Sequence, residues 1–186
     1  RRRMNRDAKA AIARACAAAI PDNSSLILNL GTTTEAVAQA LLQHRNITVV
    51  TNSLTVANIL LANPGCEIMV AGGALRRSDG GLTGDLTIQF IEQFKVDFAV
   101  IGTSALDEDG DLLDFDLAEV RVSRAILRQA RRAFLVADHS KLGRSAPARI
   151  ASLAQIDTLF TDLPLPPALA DRCAQWGTRV TATVPG

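Results

Sequence analysis

Short apolar runs alternate along this chain with longer stretches in which apolar residues recur at helical spacing. The apolar runs are continuous, which is typical of strands buried on both faces of a parallel sheet. They lie at residues 26–30, 47–51, 67–71, 98–101, 134–137, 158–160 and 179–182. The helical stretches lie at residues 8–19, 34–42, 54–61, 86–94 and 117–131. The pattern predicts one α/β domain with a mainly parallel sheet covered by helices.

Small, hydroxyl-bearing and charged residues follow five of the predicted strands. These segments are Gly31-Thr32-Thr33-Thr34, Thr51-Asn52-Ser53, Gly72-Gly73, Gly102-Thr103-Ser104 and Asp138-His139-Ser140-Lys141. Ligands of such sheets bind beyond the carboxyl ends of the strands, so we expect the five segments to form one polar rim. A small anionic ligand would explain why all five are polar.

The stretch LNLGTTTEA, residues 28–36, places a glycine and three threonines where a strand meets a helix. Glycine lets the backbone approach a ligand closely, and free N–H groups at a helix start favour an anion. The stretch therefore indicates a phosphate-binding turn. Threonine is also a good helix N-cap, so a purely structural turn would explain the same residues.

The composition of the chain excludes several classes of protein. The chain has 186 residues, of which 48% are hydrophobic, so it can bury a core. Its formal net charge of +1 argues against a bare nucleic-acid-binding domain. Cys16, Cys66 and Cys173 lie far apart, and the chain has two histidines, so we expect no disulfide framework, metal site or cofactor. Since no signal-peptide pattern and no membrane-length apolar run is found, we expect a cytoplasmic protein.

Four stretches carry a resemblance to a known family: LNLGTTTEAVAQAL, TVVTNSLTVANIL, VAGGALRRSDGGLTGDLTIQFIEQFKVDFAVIGTSALDEDG and FLVADHSKLGRSA. In this order they resemble the effector-binding domain of the DeoR family of bacterial transcription regulators, over about residues 9–162. Within that family, LLDFDLAEVRVSRAI and ADHSKLGRSA are most similar to the members that respond to glycerol 3-phosphate.

The resemblance implies a sensor domain with a fold similar to that of ribose-5-phosphate isomerase, and not an enzyme. Residues 1–8 would be the linker from an N-terminal helix-turn-helix domain, and residues 9–186 the sensor domain. The implied effector is a small phosphorylated polyol, glycerol 3-phosphate or a related sugar phosphate, whose binding relieves DNA binding. Operator DNA would be contacted through the N-terminal domain and not through these residues. A homo-oligomer is expected because repressors that read paired half-sites are symmetric.

The strand ends and the resemblance together give a candidate ligand site, with no catalytic residue and no metal ligand. Its members are Gly31, Thr32, Thr33, Thr34, Asn52, Gly73, Arg76, Gly102, Asp116, Glu119 and Lys141. Lys141 is interpreted as a phosphate partner, or alternatively as a surface lysine paired with Asp138. Asn52 either binds ligand oxygens or caps the following helix. Asp116 and Glu119 either accept hydrogen bonds from ligand hydroxyls or stabilise the start of a helix.

Two further sets of residues bear on the charge of this site. Arg76 and Arg77 stand beside Gly72-Gly73 and the glycine-rich stretch SDGG, and both are candidates for a mobile contact with the anion. Asn29 stands two positions before Gly31, where the resembled family usually has an acidic residue. Asparagine removes a negative charge and adds a donor. This change either lowers the repulsion of an anionic ligand or concerns a strand residue whose charge never mattered.

Three functions are compatible with these residues: the sensor domain of a repressor, a sugar-phosphate isomerase, and an oligomerisation module with a vestigial pocket. An isomerase needs a general base, for which Asp107, Glu119 or Asp138 could be proposed. The helix motif that carries the glutamate of ribose-5-phosphate isomerase is not recognisable before the residues DHSK. The sensor domain is therefore the leading hypothesis.

Overall fold

A computed structural model describes residues 2–184. The helices are α1 Arg2–Ala18, α2 Thr32–Ala40, α3 Leu54–Leu60, α4 Asp85–Ile91, α5 Leu117–Arg128 and α6 Pro167–Trp176. The strands are β1 Ser25–Leu28, β2 Ile47–Thr51, β3 Cys66–Val70, β4 Ala74–Leu75, β5 Leu82–Thr83, β6 Val96–Ile101, β7 Ala105–Leu106, β8 Asp111–Asp114, β9 Ala130–Val136, β10 Ala148–Ser152, β11 Thr158–Thr161 and β12 Arg179–Ala182. Short 3₁₀ turns lie at His139–Lys141 and Leu153–Gln155.

Seven strands form one sheet in the order β12-β11-β9-β6-β1-β2-β3. Every neighbouring pair in this sheet is parallel. The chain first moves outward from β1 to β2 and β3, and then returns to place β6 on the other side of β1. The strand order therefore reverses between β1 and β6, which leaves a crevice at their carboxyl ends.

Two hydrophobic cores lie on opposite faces of this sheet. On one face Ile12 of α1 and Val37 of α2 pack in the same cluster as Leu28 of β1. On the other face Val120 of α5 packs in the same cluster as Ile27, the neighbouring residue of β1. Successive side chains of a strand point to opposite faces, so a continuous apolar strand is what a sheet covered on both sides requires.

The predicted α/β class, the parallel sheet and its covering helices are confirmed. The sequence pattern missed two small antiparallel sheets. One consists of β4 and β5, and the other has the strand order β10-β8-β7. The pattern also missed α6, although this helix has Pro167 at its first position and Gly177 in a left-handed conformation directly after its end. Both are common helix boundary signals. Within residues 2–184 no helix combines the length and the apolar character that crossing a bilayer demands.

The first helix begins earlier than the sequence indicated. α1 starts at Arg2, so residues 2–8, which were expected to be a linker, form its first two turns. Arg1, at the start of that expected linker, lies outside the described residues, as do residues 185–186 at the end of the expected sensor domain. The division into a linker at 1–8 and a sensor domain at 9–186 stays a prediction.

Candidate functional site

A cavity of about 230 Å³ opens at the crevice between β1 and β6. Its walls come from the segments that follow β1, β2 and β6, from the end of β9, and from the residues around the start of α5. The residues that line it are Asn29, Leu30, Gly31, Thr32, Thr33, Thr34, Asn52, Asp79, Gly102, Thr103, Ser104, Asp114, Glu119, Ser123, Val136 and Lys141. Four of the five predicted polar strand ends thus meet at one site. The end of β3 does not reach it because β3 is the edge strand beyond β2.

The turn after β1 exposes the start of a helix to this cavity. Gly31 is the N-cap of α2, with a φ of 139° that other residues rarely adopt. Among residues 2–184, no side chain caps α2 by accepting a hydrogen bond from its first N–H groups. α2 begins at Thr32, two residues before the predicted start, so the threonines lie within its first turn. The N-cap is a glycine, and the alternative of a threonine cap is wrong.

The three threonines have different environments. The Thr34 hydroxyl donates to the carbonyl of Gly31 at 2.8 Å and is fully buried, so it stabilises the turn itself. Thr32 is exposed, and its hydroxyl accepts from the Lys9 ammonium of α1 at 2.8 Å. Thr33 is 7% exposed and lines the cavity. Thr33 is therefore the hydroxyl best placed to contact a ligand.

Lys141 lines the same cavity as this helix start. It follows β9 in the 3₁₀ turn His139–Lys141, which Asp138 caps by accepting from the N–H of Ser140 at 2.8 Å. Within residues 2–184 the ammonium of Lys141 forms no ion pair, so the alternative of a pair with Asp138 is wrong. A cation without a carboxylate partner beside a helix N-terminus is suited to bind a phosphate.

Two asparagines hold the strand ends and face the cavity. The side-chain nitrogen of Asn52 donates to the carbonyl of Leu82 at 3.1 Å, while its side-chain oxygen is buried with no hydrogen-bond partner. Ser53, and not Asn52, caps α3. The side-chain oxygen of Asn29 accepts from the N–H of Gly102 at 3.0 Å, which ties β1 to β6. A buried oxygen without a donor is costly, so Asn52 is prepared to accept a hydrogen bond from a ligand.

Three carboxylates, Asp79, Asp114 and Glu119, form what we call the acidic wall of the cavity. The pKa of Glu119 is raised to about 7, first by burial and then by the negative charge of Asp114, while Arg76 opposes the shift. Partial burial raises the pKa of Asp79, but hydrogen bonds from Arg76 and from the N–H of Gly81 outweigh it and lower the value overall. These groups offer acceptors for ligand hydroxyls.

Arg76 contacts carboxylates of the acidic wall but does not line the cavity. It forms ion pairs with Asp79, Asp116 and Glu119. Asp116 is the N-cap of α5, where its carboxylate accepts from the N–H of Ala118 at 2.8 Å. Asp116 does not line the cavity, so of the two roles proposed for it the structure favours stabilising the start of a helix. Glu119 lies in the first turn of α5 and also lines the cavity.

The structure brings most of the candidate residues together. Those that line the cavity are Gly31, Thr32, Thr33, Thr34, Asn52, Gly102, Glu119 and Lys141. Arg76 and Asp116 do not line the cavity, and they form an ion pair with each other. Gly73 lies outside the lining: its φ is 129°, and a Cβ there would lie 2.6 Å from the carbonyl oxygen of Thr83, so this position needs glycine for packing.

Sequence reasoning left several lining residues out of the candidate site. They are Asn29, Leu30, Asp79, Thr103, Ser104, Asp114, Ser123 and Val136. Asn29, Thr103 and Ser104 lie at or directly after the ends of predicted strands, a signal that was available, whereas Asp114 ends β8, a strand that the pattern did not predict. Ser123 lies inside α5 and Asp79 in the hairpin loop between β4 and β5, and no local pattern places either of them at the crevice.

Comparison of the sequence with known proteins finds a matching family and several similar repressors. The family model described as "DeoR C terminal sensor domain" matches residues 4–163. The chain is 47% identical over 166 residues to a glycerol-3-phosphate regulon repressor of Escherichia coli (strain K12), covering 89% of this chain and 66% of that protein. It is 49% identical over 154 residues to a glycerol-3-phosphate regulon repressor of Haemophilus influenzae, covering 82% and 60%. The chain thus spans less than two thirds of the length of these relatives.

Comparison with solved structures concerns the fold alone. Ribose 5-phosphate isomerase A of Methanocaldococcus jannaschii matches 74% of this chain and 55% of its own, with a TM-score of 0.54 and 14% sequence identity. The expected likeness to the sugar-phosphate isomerase fold is therefore confirmed.

Proposed function

The chain belongs to the DeoR C-terminal sensor domain family, and on this premise we propose that its cavity binds a small phosphorylated polyol, in particular glycerol 3-phosphate. Binding would relieve the DNA binding of a repressor whose operator contacts come from a separate N-terminal domain. The relatives named as glycerol-3-phosphate regulon repressors support this choice of effector. Such a regulator would work in the cytoplasm and, to read paired half-sites, as a homo-oligomer.

One observation carries the proposal: the start of α2, which has no side-chain cap, and the ammonium of Lys141, which has no ion pair within residues 2–184, line the same cavity. A phosphate between them would meet backbone N–H groups, the helix dipole and a positive charge. The carbon chain would then extend toward the acidic wall and Asn52, whose oxygens accept from hydroxyls. The cavity volume of about 230 Å³ is below the roughly 300–1,000 Å³ of pockets for drug-sized ligands, which suits a three-carbon phosphate.

We expect the domain to prefer a phosphorylated polyol over the free alcohol. Glycerol lacks the group that the α2 start and Lys141 would hold, so it should bind at least about 100-fold more weakly than glycerol 3-phosphate, since charged hydrogen bonds contribute roughly 1.5–3 kcal/mol each. Calorimetric titration with glycerol, glycerol 3-phosphate and ribose 5-phosphate measures the difference. Equal affinity for glycerol and its phosphate would contradict the phosphate site, and binding of none of them would favour the oligomerisation module.

We expect no isomerase activity. A general base must reach a carbon-bound proton of the substrate. Of the three candidate bases, Asp107 and Asp138 do not line the cavity, and the ion pair with Arg76 holds one oxygen of Glu119. Incubation with ribose 5-phosphate should give no ketose above the uncatalysed background. Turnover that is lost in Glu119→Gln would show that the domain is an enzyme after all.

A further inference from the structure

The guanidinium of Arg76 is almost fully engaged by carboxylates. One terminal nitrogen bonds to Asp116, and the other bonds to both Asp79 and Glu119. The remaining Nε–H points to Asp79 at 3.4 Å. Because a guanidinium has five N–H donors in a fixed plane and these bonds use four of them, Arg76 would have to release a carboxylate before it could hold a phosphate with two hydrogen bonds.

The cavity itself carries a negative excess. The charged side chains that line it are the three carboxylates of the acidic wall and the ammonium of Lys141. A phosphate monoester adds roughly 1.5–2 negative charges near neutral pH. An anion would therefore be repelled unless a cation near the wall offsets these charges. Arg76, which does not line the cavity, forms ion pairs with two of the three wall carboxylates, Asp79 and Glu119.

Arg76 also joins the hairpin of β4 and β5 to the start of α5, and among the described residues no other ion pair connects these two elements. The hairpin of β4 and β5 is fastened to the end of β2, where the N–H of Leu82 donates to the carbonyl of Asn52 at 2.8 Å. Asp79 stays on this hairpin and accepts from the N–H of Gly81 at 2.9 Å. From the same hairpin Arg76 reaches Glu119 in the first turn of α5. Its ion pairs therefore fix the positions of wall carboxylates that come from two different elements.

We propose that Arg76 is a positioning residue that holds the acidic wall in place and offsets its charge, so that the cavity accepts a phosphorylated ligand that Arg76 itself does not touch. This inference rests on the proposed function. It replaces the direct and mobile anion contact that the sequence suggested for Arg76.

The adjacent Arg77 provides a matched control, because it is exposed and does not line the cavity. At about pH 9, where Glu119 keeps its charge even with the raised pKa expected in the variant, we expect Arg76→Met to bind glycerol 3-phosphate at least about tenfold more weakly, the effect of one uncompensated charge at close range. Arg77→Met should bind like the unmodified protein. Both variants are checked for folding by thermal melting. If Arg76→Met does not fold, Arg76→Gln takes its place, because it keeps donors for the carboxylates but lacks the charge.

Two readouts separate a counterion from a direct phosphate contact. In a Glu119→Gln background, the same Arg76 substitution should cost much less affinity, because one of the charges that Arg76 offsets is already gone. The loss should also shrink at pH 6, since Glu119, with a pKa of about 7, then becomes protonated. The charged groups around Glu119 are Arg76 and Asp79 from the hairpin, Asp114 and Asp116 before α5, and Lys141 after β9. A loss that neither change relieves, or no loss at all, would overturn the inference.

A measurement without ligand tests the inference apart from the proposed function. The pKa of Glu119, followed by NMR in the unliganded domain, should rise by at least about one unit in Arg76→Met, because an opposite charge in contact has been removed. It should stay unchanged in Arg77→Met. If this rise is seen but the unmodified protein binds no glycerol 3-phosphate, the proposed function fails and the counterion role of Arg76 stands. If glycerol 3-phosphate binds and the pKa of Glu119 does not move, the inference about Arg76 is wrong.

Discussion

Replacement of Lys141 by alanine is expected to weaken the binding of glycerol 3-phosphate by about 2–4 kcal/mol, which is a factor of roughly 30 to 1,000 in the dissociation constant. Lys141 lines the same cavity as the start of α2, and its ammonium has no ion pair with another described residue. Its removal leaves the phosphate in a cavity whose remaining charged lining is the acidic wall. Calorimetric titration of the two proteins measures the loss.

The fold should be almost unaffected by this substitution. No carboxylate of the described residues loses an ion-pair partner when Lys141 is removed. We therefore expect the melting temperature of the unliganded Lys141→Ala protein to stay within about 2 °C of the unmodified value. Lys95→Ala is the matched control, because Lys95 is exposed and lies away from the cavity, and it should change neither quantity. A large drop in melting temperature for Lys141→Ala would show that this lysine is structural.

The main sheet could be predicted from the sequence because its strands are buried on both faces. Continuous apolar runs such as residues 47–51 contrast sharply with the amphipathic helices beside them, and β2 has the predicted bounds. The short strands lack this contrast. β4 and β7 have two residues each, too few for any period to show, and each pairs locally with the strand that follows it in the chain, β5 or β8. The hydrophobic pattern therefore predicted the seven-stranded sheet but not the two small antiparallel sheets.

The candidate site divides in a similar way. Residues at strand ends, such as Thr33 and Lys141, were found because a parallel sheet places all such ends at one edge. The partners of Arg76 could not be found in this way. Arg76 was expected to meet an anionic ligand because it is a cation beside a glycine-rich loop, but the fold brings Asp116 and Glu119, forty or more positions away, into contact with it. The role proposed for Arg76 therefore changes from a direct contact with the anion to the positioning of the acidic wall.

Thr33→Val is expected to produce a repressor that its effector releases poorly. In a chain that carries this domain behind the proposed DNA-binding domain, effector binding must favour one conformation over another, with a coupling typically of about 1–3 kcal/mol. Thr33 is nearly buried and lines the cavity at the first turn of α2. Valine keeps the shape of threonine, removes the hydroxyl and places an apolar group against the anion. A lost hydrogen bond to a charged group contributes roughly 1.5–3 kcal/mol, so release should need about 10-fold to 100-fold more glycerol 3-phosphate.

Operator binding without ligand should stay normal in Thr33→Val, because no described residue depends on the Thr33 hydroxyl for a hydrogen bond, in contrast to Thr34, whose hydroxyl bonds to Gly31. Thr181→Val, on the edge strand β12 at the far end of the sheet, is the matched control and should respond to the effector like the unmodified repressor. Operator binding is measured by gel shift across a series of glycerol 3-phosphate concentrations for all three proteins. If Thr33→Val is released at the unmodified concentration, the Thr33 hydroxyl takes no part in holding the effector, and the helix start must act through its backbone N–H groups and Lys141 alone.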